Sequence, residues 1–454
     1  MIGYTNRILD NHVKLSYNDV SVVPAPLSYI TSRSQCYLTN SDEEKDSKYL
    51  PIFTAPMTSV VDETNIDIYD KNGIIPIYPR KKETQDSYKN KPGNNPTLDL
   101  LLSDNNKFVA VSLKFFKYWF VENPNTLLDS SVKKFKVLVD VANGHMKVLY
   151  DYISKAKDIF GERLIIMTGN IANPLTYLYA WKSGVDYIRL GIGSGFGCIT
   201  SSNCGCHYGM VSLISETATY RDMIQWALDT CKNKNNWGTL YTGLQYKTYV
   251  PQVLREAFKN YLNGKDSINK FDEAMFLDSE ILYGETGTNP LQLNDFKYIN
   301  APKIIADGGI RNFDHVIIAL AAGADYVMIG GLFSSCLESC AKNYIKIENS
   351  EYKLATEKDI QDILNGNTNK SLYKKFYGMA SKEGQLDLNG KKIHTSEGIS
   401  KFVKVQYHLK QWCDNMRDYL RSCMSYTNCE NLYQFRNSVR LVRESEQTIK
   451  SINK

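Results

Sequence analysis

Between Gly191 and Thr200 the chain reads GIGSGFGCIT, with glycines at 191, 193, 195 and 197, Cys198 directly after the last of them, and Thr200 two residues further on. Alternate glycines let the backbone take φ > 0 and turn its amides and carbonyls towards a ligand or ion. Tyr187, Ile188, Leu190 and Ile192 read as a short buried strand just before this run. Cys198 therefore arrives on a shaped loop at a strand's end, where an α/β protein keeps its nucleophile, and the chemistry on offer is covalent catalysis. The competing description is a glycine-rich turn followed by a buried structural thiol. From the cysteine alone, that description is the better one.

A nucleophile so placed needs a scaffold, and the flanking sequence supplies one. Eight short apolar runs follow one another: Pro51 to Thr58 (PIFTAPMT), Gly73 to Arg80 (GIIPIYPR), Phe108 to Leu113, Val137 to Asp140, Leu164 to Asn170 (LIIMTGN), Val185 to Ile192, Lys303 to Gly309, and Ala324 to Gly331 (ADYVMIGG). Met146 to Ile159, Pro174 to Ser183 and Gly209 to Leu228 have helical character between them. Strands alternating with crossover helices imply a parallel sheet. Lys81 to Asn106 is polar and reads as loop with one short helix. Asp229 to Asn300 interrupts the rhythm, with helices expected at 253–262 and 272–282. The last two runs end in Gly308-Gly309 and Gly330-Gly331. Exposed N–H groups and a following helix dipole at such pairs hold a phosphate dianion, the alternative being two ordinary strand-to-helix turns. Asp140, at a strand's C-terminal end, either bonds a ribose hydroxyl or caps the next helix, and spacing alone favours the cap.

Taken in order, these segments resemble the inosine monophosphate dehydrogenase and guanosine monophosphate reductase superfamily. The likeness runs from LSYNDVSVVPAP (15–26) and TSRS (31–34) through APM (55–57), DVANGH (140–145), Gly169-Asn170, the cysteine loop, ADGG (306–309), FYGMAS (376–381) and TSEG (395–398). The resemblance implies an α/β fold, a (β/α)8 TIM barrel forming one catalytic domain over 1–454. It also implies a mobile flap over 382–400, and the chain departs from it at 229–300, read as an inserted segment of unknown role between the sixth helix and the seventh strand. Carried over residue by residue, it makes Cys198 the nucleophile that attacks C2 of a purine and assigns proton delivery to Thr200 and Glu397. Met57 packs on the base, Asp307 bonds the ribose hydroxyls, and Gly308, Gly309, Gly330 and Gly331 hold the phosphate. The backbone of Met379, Ala380 and Ser381 reads the N1–O6 edge. Asp140, Asn143 and Gly144 approach the nicotinamide riboside, with Arg80 a further cofactor contact although Pro79 replaces the histidine usual before it. Backbone carbonyls of Gly193, Gly195 and Cys198 would bind potassium.

Two enzymes share this adduct. DVANG, FYGM and a short flap match the reductase. A dehydrogenase needs a flap arginine and tyrosine to activate water, and no arginine lies between Met379 and Glu397. Ala55-Pro56-Met57 and the segment from Arg421 to Arg436 match the dehydrogenase. The expectation is NADPH-dependent reductive deamination of GMP to IMP and ammonia. The alternatives are an IMP dehydrogenase without the regulatory nucleotide-binding (CBS) modules that many carry, and a catalytically silent purine-nucleotide-binding protein. A homotetramer is expected by resemblance.

Composition narrows the setting. Hydrophobic residues make up 43% and charged residues 23% of 454, ordinary for a globular chain. The net charge of +5 arises from 54 basic and 49 acidic residues spread throughout, which argues for no nucleic-acid partner. No long apolar window or signal-peptide start is present, so a cytoplasmic protein without membrane contact is expected. Ten cysteines should then be reduced. Cys204, Cys206 and His207 lie close together, but no second ligand pair at zinc-finger spacing follows them.

Overall fold

The computed structural model describes residues 13–39, 47–83, 86–103, 106–195, 197, 200–232, 300–347, 351–389, 395–396, 398–445, 447–448 and 451. Helices expected at 253–262 and 272–282 lie outside these residues, as do Cys198 and Glu397.

After β1 (Val20–Val23) the chain supplies eight parallel strands: β2 (Ile52–Thr54), β3 (Ile77–Tyr78), β4 (Phe108–Val111), β5 (Phe135–Asp140), β6 (Leu164–Ile171), β7 (Tyr187–Leu190), β8 (Lys303–Asp307) and β9 (Tyr326–Ile329). Their order in the sheet is β2-β9-β8-β7-β6-β5-β4-β3. The two ends meet: Thr54 N–H donates to the Ile75 carbonyl at 3.0 Å and Ile75 N–H to Ile52 at 2.9 Å, which closes the sheet. Helices follow the strands, so the architecture is the expected (β/α)8 barrel. Strands covered on both faces read as apolar runs rather than alternating ones, which is why they stand out in the sequence. The sixth helix, Met210–Lys232, and the seventh strand, β8, flank the segment at 233–299.

Side chains pointing inward repeat every second residue. Phe53, Ile77, Phe108, Leu138, Met167, Ile305 and Met328 fill the lumen, with Tyr187 and Tyr326 packed on them. Phe53 meets Phe108 and Tyr187 edge-on at 6.0 and 6.2 Å. Two residues towards the C-terminal ends, the same inward positions are Asp140, Gly169, Arg189, Asp307 and Gly330. The lumen thus changes from apolar to polar in one layer, at the end where barrel enzymes do chemistry.

The opposite end is clamped by two matching carboxylates. Asp186, before β7, accepts the Ile166 N–H at 2.7 Å and pairs with Lys157 at 2.8 Å. Asp325, before β9, accepts the Ile304 N–H at 2.8 Å and pairs with Arg221 at 2.9 Å and Arg436 at 3.6 Å. Burial pushes the Asp325 carboxyl up, but Arg221, Arg436 and the Ile304 amide outweigh it and hold it below the usual carboxylate range. A depressed folded-state value stabilises the fold above the unfolded carboxylate pKa and is lost as pH falls through the folded one. Asp325→Asn is expected to cost about 3 kcal/mol at neutral pH, because Arg436 loses its ion-pair partner and Arg221 keeps only Asp222. In denaturant titrations the gap between variant and parent should narrow in acid; a gap constant across pH would contradict this account.

A four-stranded antiparallel sheet, absent from the sequence reading, follows the barrel: β10 (Asn343–Lys346), β11 (Tyr352–Leu354), β12 (Leu372–Tyr377) and β13 (Ser400–Lys404), in the order β11-β10-β12-β13. Leu372, Lys374 and Phe376 face inward, and Lys374 donates to the Ser339 and Ala341 carbonyls at 2.6 and 2.9 Å. Burial pushes its amine down to about 8. The expected flap therefore springs from a sheet and begins as a helix, Lys382–Asn389. Leu15 to Pro26 contains the strand β1, which pairs antiparallel with β14 (Arg440–Arg443) from Val20–Arg443 to Val23–Arg440. Among the described residues no helix is long and apolar enough to cross a membrane.

Candidate active site

The glycine loop leaves β7 under tight constraint. Gly191 N–H donates to the Ile171 carbonyl at 2.8 Å, and the Asn170 amide returns a bond to the Gly191 carbonyl at 2.9 Å. Gly191 sits at φ +122, and a Cβ there would lie 2.4 Å from the Asp307 carbonyl oxygen. Gly193 has φ +77, and its carbonyl accepts the Ser201 hydroxyl at 3.1 Å. A carbonyl has two lone pairs, so this bond leaves Gly193 able to contact a cation.

Cys198 and Glu397 are not described, but their chain neighbours meet. Ile399 N–H donates to the Gly197 carbonyl at 2.9 Å, and Gly378 N–H to Ile399 at 3.2 Å. A Cβ on Gly197 would lie 2.8 Å from the Phe376 ring, and one on Gly398 would lie 3.1 Å from the Gly197 carbonyl. Glycines are required here because two backbones touch. Thr200 opens the helix Thr200–Cys204.

The residues expected to hold a nucleotide converge at this end of the barrel. A Cβ on Gly330 would meet the Met57 sulfur at 2.9 Å. Thr58, beside Met57, contacts the Met379 sulfur at 3.9 Å and the Tyr377 hydroxyl at 3.2 Å. Ala380 and Ser381 complete a turn in which Ser381 N–H donates to Gly378 and the Ser381 hydroxyl accepts the Gly384 N–H. Gly308 and Gly309 have φ +105 and +77; Cβ atoms there would lie 2.7 Å from the Ser194 hydroxyl and 3.1 Å from the Tyr17 ring. The hydroxyls of Tyr17 and Ser194 are buried without partners among the described residues, so the cradle keeps unspent donors.

One expectation about this cradle is corrected. The helix Phe313–Ala321 follows Gly308-Gly309, but Gly330-Gly331 leads only into the 3-10 turn Phe333–Ser335. A helix dipole therefore aids one glycine pair and not both. Gly308→Ala is expected to weaken nucleotide binding about tenfold or more, since it forces a Cβ onto Ser194 from a left-handed backbone costing of order 1–3 kcal/mol. Isothermal titration would test this, and unaltered affinity would contradict the cradle.

The main residue that sequence reasoning missed is Arg189. It is 4% exposed, donates to the Asp140 carboxylate at 2.7 Å and lies 3.6 Å from Asp307. Asn170 adds a bond to Asp307 at 2.9 Å. Burial raises the Asp307 carboxyl above its usual value; Arg189 and Asn170 pull it back, and Asp140 adds to the rise. The capping role favoured for Asp140 is overturned, because the helix Lys147–Phe160 begins at Met146 without any side-chain cap. An arginine inside the apolar strand YIRL, with aspartates ending two other strands, was the available signal.

Nearby, Gly144 N–H donates to the Asn170 carbonyl at 3.0 Å, and the Asn143 side chain accepts the His145 N–H at 2.9 Å. A Cβ on Gly144 would lie 2.6 Å from the same carbonyl, so this loop is held flush against the end of β6. Asp140, Asn143 and Gly144 are thus brought to the cluster. Arg80 ends the β3 segment with its Nε buried and unpartnered among the described residues.

This barrel, with its glycine loop set against a second glycine pair, matches a known domain. The family model described as IMP dehydrogenase / GMP reductase domain matches residues 14–228 and 294–453. The chain belongs to the IMP dehydrogenase / GMP reductase family. Similar curated proteins include a GMP reductase of Streptococcus pyogenes serotype M4 (strain MGAS10750), 24% identical over 423 residues and covering 92% of each chain. A GMP reductase of Onchocerca volvulus is 23% identical over 314 residues, 69% of this chain and 59% of its own. The family match leaves 229–293 uncovered, within the stretch expected as an insertion. Membership in this oxidoreductase family points to a nucleotide substrate.

Proposed function

We propose that the chain is a GMP reductase that converts GMP to IMP and ammonia, with NADPH as reductant. The observation that carries this reading is the junction of the cysteine loop with the flap base, Gly197 against Gly378 and Gly398, in a family member whose similar curated proteins are GMP reductases. Cys198 as thiolate attacks C2 of the guanine; the 2-amino group, protonated through Thr200 and Glu397, leaves as ammonia. The resulting thioimidate is reduced at C2, and collapse expels Cys198 to give IMP. Met57, Asp307, the two glycine pairs and the Met379–Ser381 turn fix the nucleotide.

NADPH would supply the hydride. Asp140 fits the nicotinamide ribose: Arg189 occupies its Oδ1, while Oδ2 has no partner among the described residues. The close-packed Gly144 brings backbone beside it. Gly193, Gly195 and Cys198 would hold potassium through carbonyls, a set of hard oxygen donors suited to that ion. The absence of any arginine between Met379 and Glu397 supports reductase over dehydrogenase, because no hydrolytic water has to be activated. Ala55-Pro56-Met57 favours the second reading, an IMP dehydrogenase. We propose a homotetramer acting in the cytoplasm.

The test is to mix the protein with GMP and NADPH, and separately with IMP and NAD, in potassium buffer. Falling nicotinamide absorbance with ammonia release in the first mixture is expected. A rise confined to the second would overturn the assignment in favour of the dehydrogenase. Silence in both, with nucleotide still bound, would indicate a binding protein.

A further inference from the structure

The described cysteines divide sharply by exposure. Cys36, Cys336, Cys413 and Cys429 are buried and Cys340 and Cys423 partly so, whereas Cys204 and Cys206 are exposed. These two flank Gly205, which has φ +72 and nothing within 4 Å of the position a Cβ would take. Cys204 is the last residue of the helix Thr200–Cys204, and Gly205 N–H closes that helix onto Ser201. The left-handed glycine turns the chain back, and Cys204 lies close enough to Cys206 to push the Cys206 thiol up. Residues two apart in a bent segment have Cα atoms roughly 5–7 Å apart, the span a disulfide needs. Among the described residues no third His, Cys, Asp or Glu completes a metal-binding group with them. His207 is already engaged with the Ile192 carbonyl at 3.2 Å.

We propose that Cys204 and Cys206 are a redox-modification site, a dithiol that closes to a disulfide on exchange with a small disulfide of the glutathione type. One cysteine sulfur, as thiolate, attacks the S–S bond of the small disulfide, forming a mixed disulfide and releasing one small thiol. The second sulfur attacks the protein sulfur of that mixed disulfide, forming the Cys204–Cys206 bond and releasing the second small thiol. The cysteine pair loses two electrons and two protons; the small disulfide gains them as two thiols. An exposed bond in so tight a ring is readily reduced, as regulatory rather than structural disulfides are.

The placement gives the modification a consequence. Ser201, in the same short helix, holds the Gly193 carbonyl, and His207, directly after Cys206, holds that of Ile192. Closing the ring therefore acts on both tethers of the loop that presents Cys198.

The test treats the full-length protein with oxidised glutathione, blocks remaining thiols under denaturing conditions and weighs the intact chain. Cys198, Cys204 and Cys206 share one tryptic peptide, Leu190 to Arg221, so variants rather than digestion assign the bond. The parent should lose two hydrogens and two blockable thiols, reversibly with dithiothreitol. Cys198→Ala should do the same, while Cys204→Ser and Cys206→Ser should each stop at a glutathione adduct. Loss of the intramolecular bond in Cys198→Ala, or separate adducts on Cys204 and Cys206 in the parent, would overturn the proposal. Each outcome is read by mass and is independent of any enzymatic assay.

Discussion

Cys198→Ala is expected to lower GMP-dependent NADPH oxidation by about 10⁴-fold or more, because removing a covalent nucleophile removes the step that the other groups serve. GMP affinity should stay within a few-fold of the parent. The groups proposed to bind the nucleotide include Met57, Gly308 and Gly330, which belong to β2, β8 and β9 and the loops after them rather than to the cysteine loop. The pairing of a lost rate with a kept affinity is the informative result, measured by steady-state kinetics and titration on one preparation. Survival of more than about 1% of the rate would show that hydride transfer proceeds without the adduct and would end the covalent mechanism.

Arg189→Met should be the most damaging change within the barrel. It leaves Asp140 and Asp307 facing one another without the guanidinium between them, and breaking a buried pair in this way costs about 3–5 kcal/mol. The size should depend on pH. Asp307 already titrates above its usual range, so its contribution to stability is present below the unfolded carboxylate pKa and is lost as pH rises through the folded value. Without Arg189 the folded value rises further, and the defect should be largest at neutral pH and shrink in mild acid. Urea titrations at several pH values would show this; an equal loss at all pH values would mean that the arginine only fills space. Both gaps narrow in acid, for different reasons: at Asp325 acid removes a favourable pair, whereas here it neutralises a carboxylate that burial disfavours.

The strands of the barrel were legible because burial on both faces leaves a plain signal. LIIMTGN and YVMI are uninterrupted apolar runs, and their glycines mark where backbone meets backbone. The antiparallel sheet was not legible for the converse reason. YKL and SKFVK are short, half-exposed and rich in lysine, so their alternation is no stronger than that of a loop. Of the candidate site, the glycine pairs were legible because close backbone approach singles out that residue type, as the contacts a Cβ would make at Gly308 and Gly330 show. Arg189 escaped because its partners Asp140 and Asp307 end two other strands, and spacing in sequence does not show that the three meet. The difference between Asp140 as a cap and as an ion-pair partner likewise depends on Arg189. Local spacing had pointed to the wrong one.

The pairing of β1 with β14 bears on how the molecule is made. Val20 finds its partner in Arg443 across nearly the whole chain, and Tyr37 bridges Asn431 in the same region. Contacts this distant in sequence are paid for late, since loop closure must precede them. While the chain is being synthesised, Tyr17 and the Gly308–Gly309 turn that it covers wait for a seal that the last strand provides. A nascent chain stopped before Arg440 would carry every barrel strand, yet its opening segment would lack the strand against which it is laid.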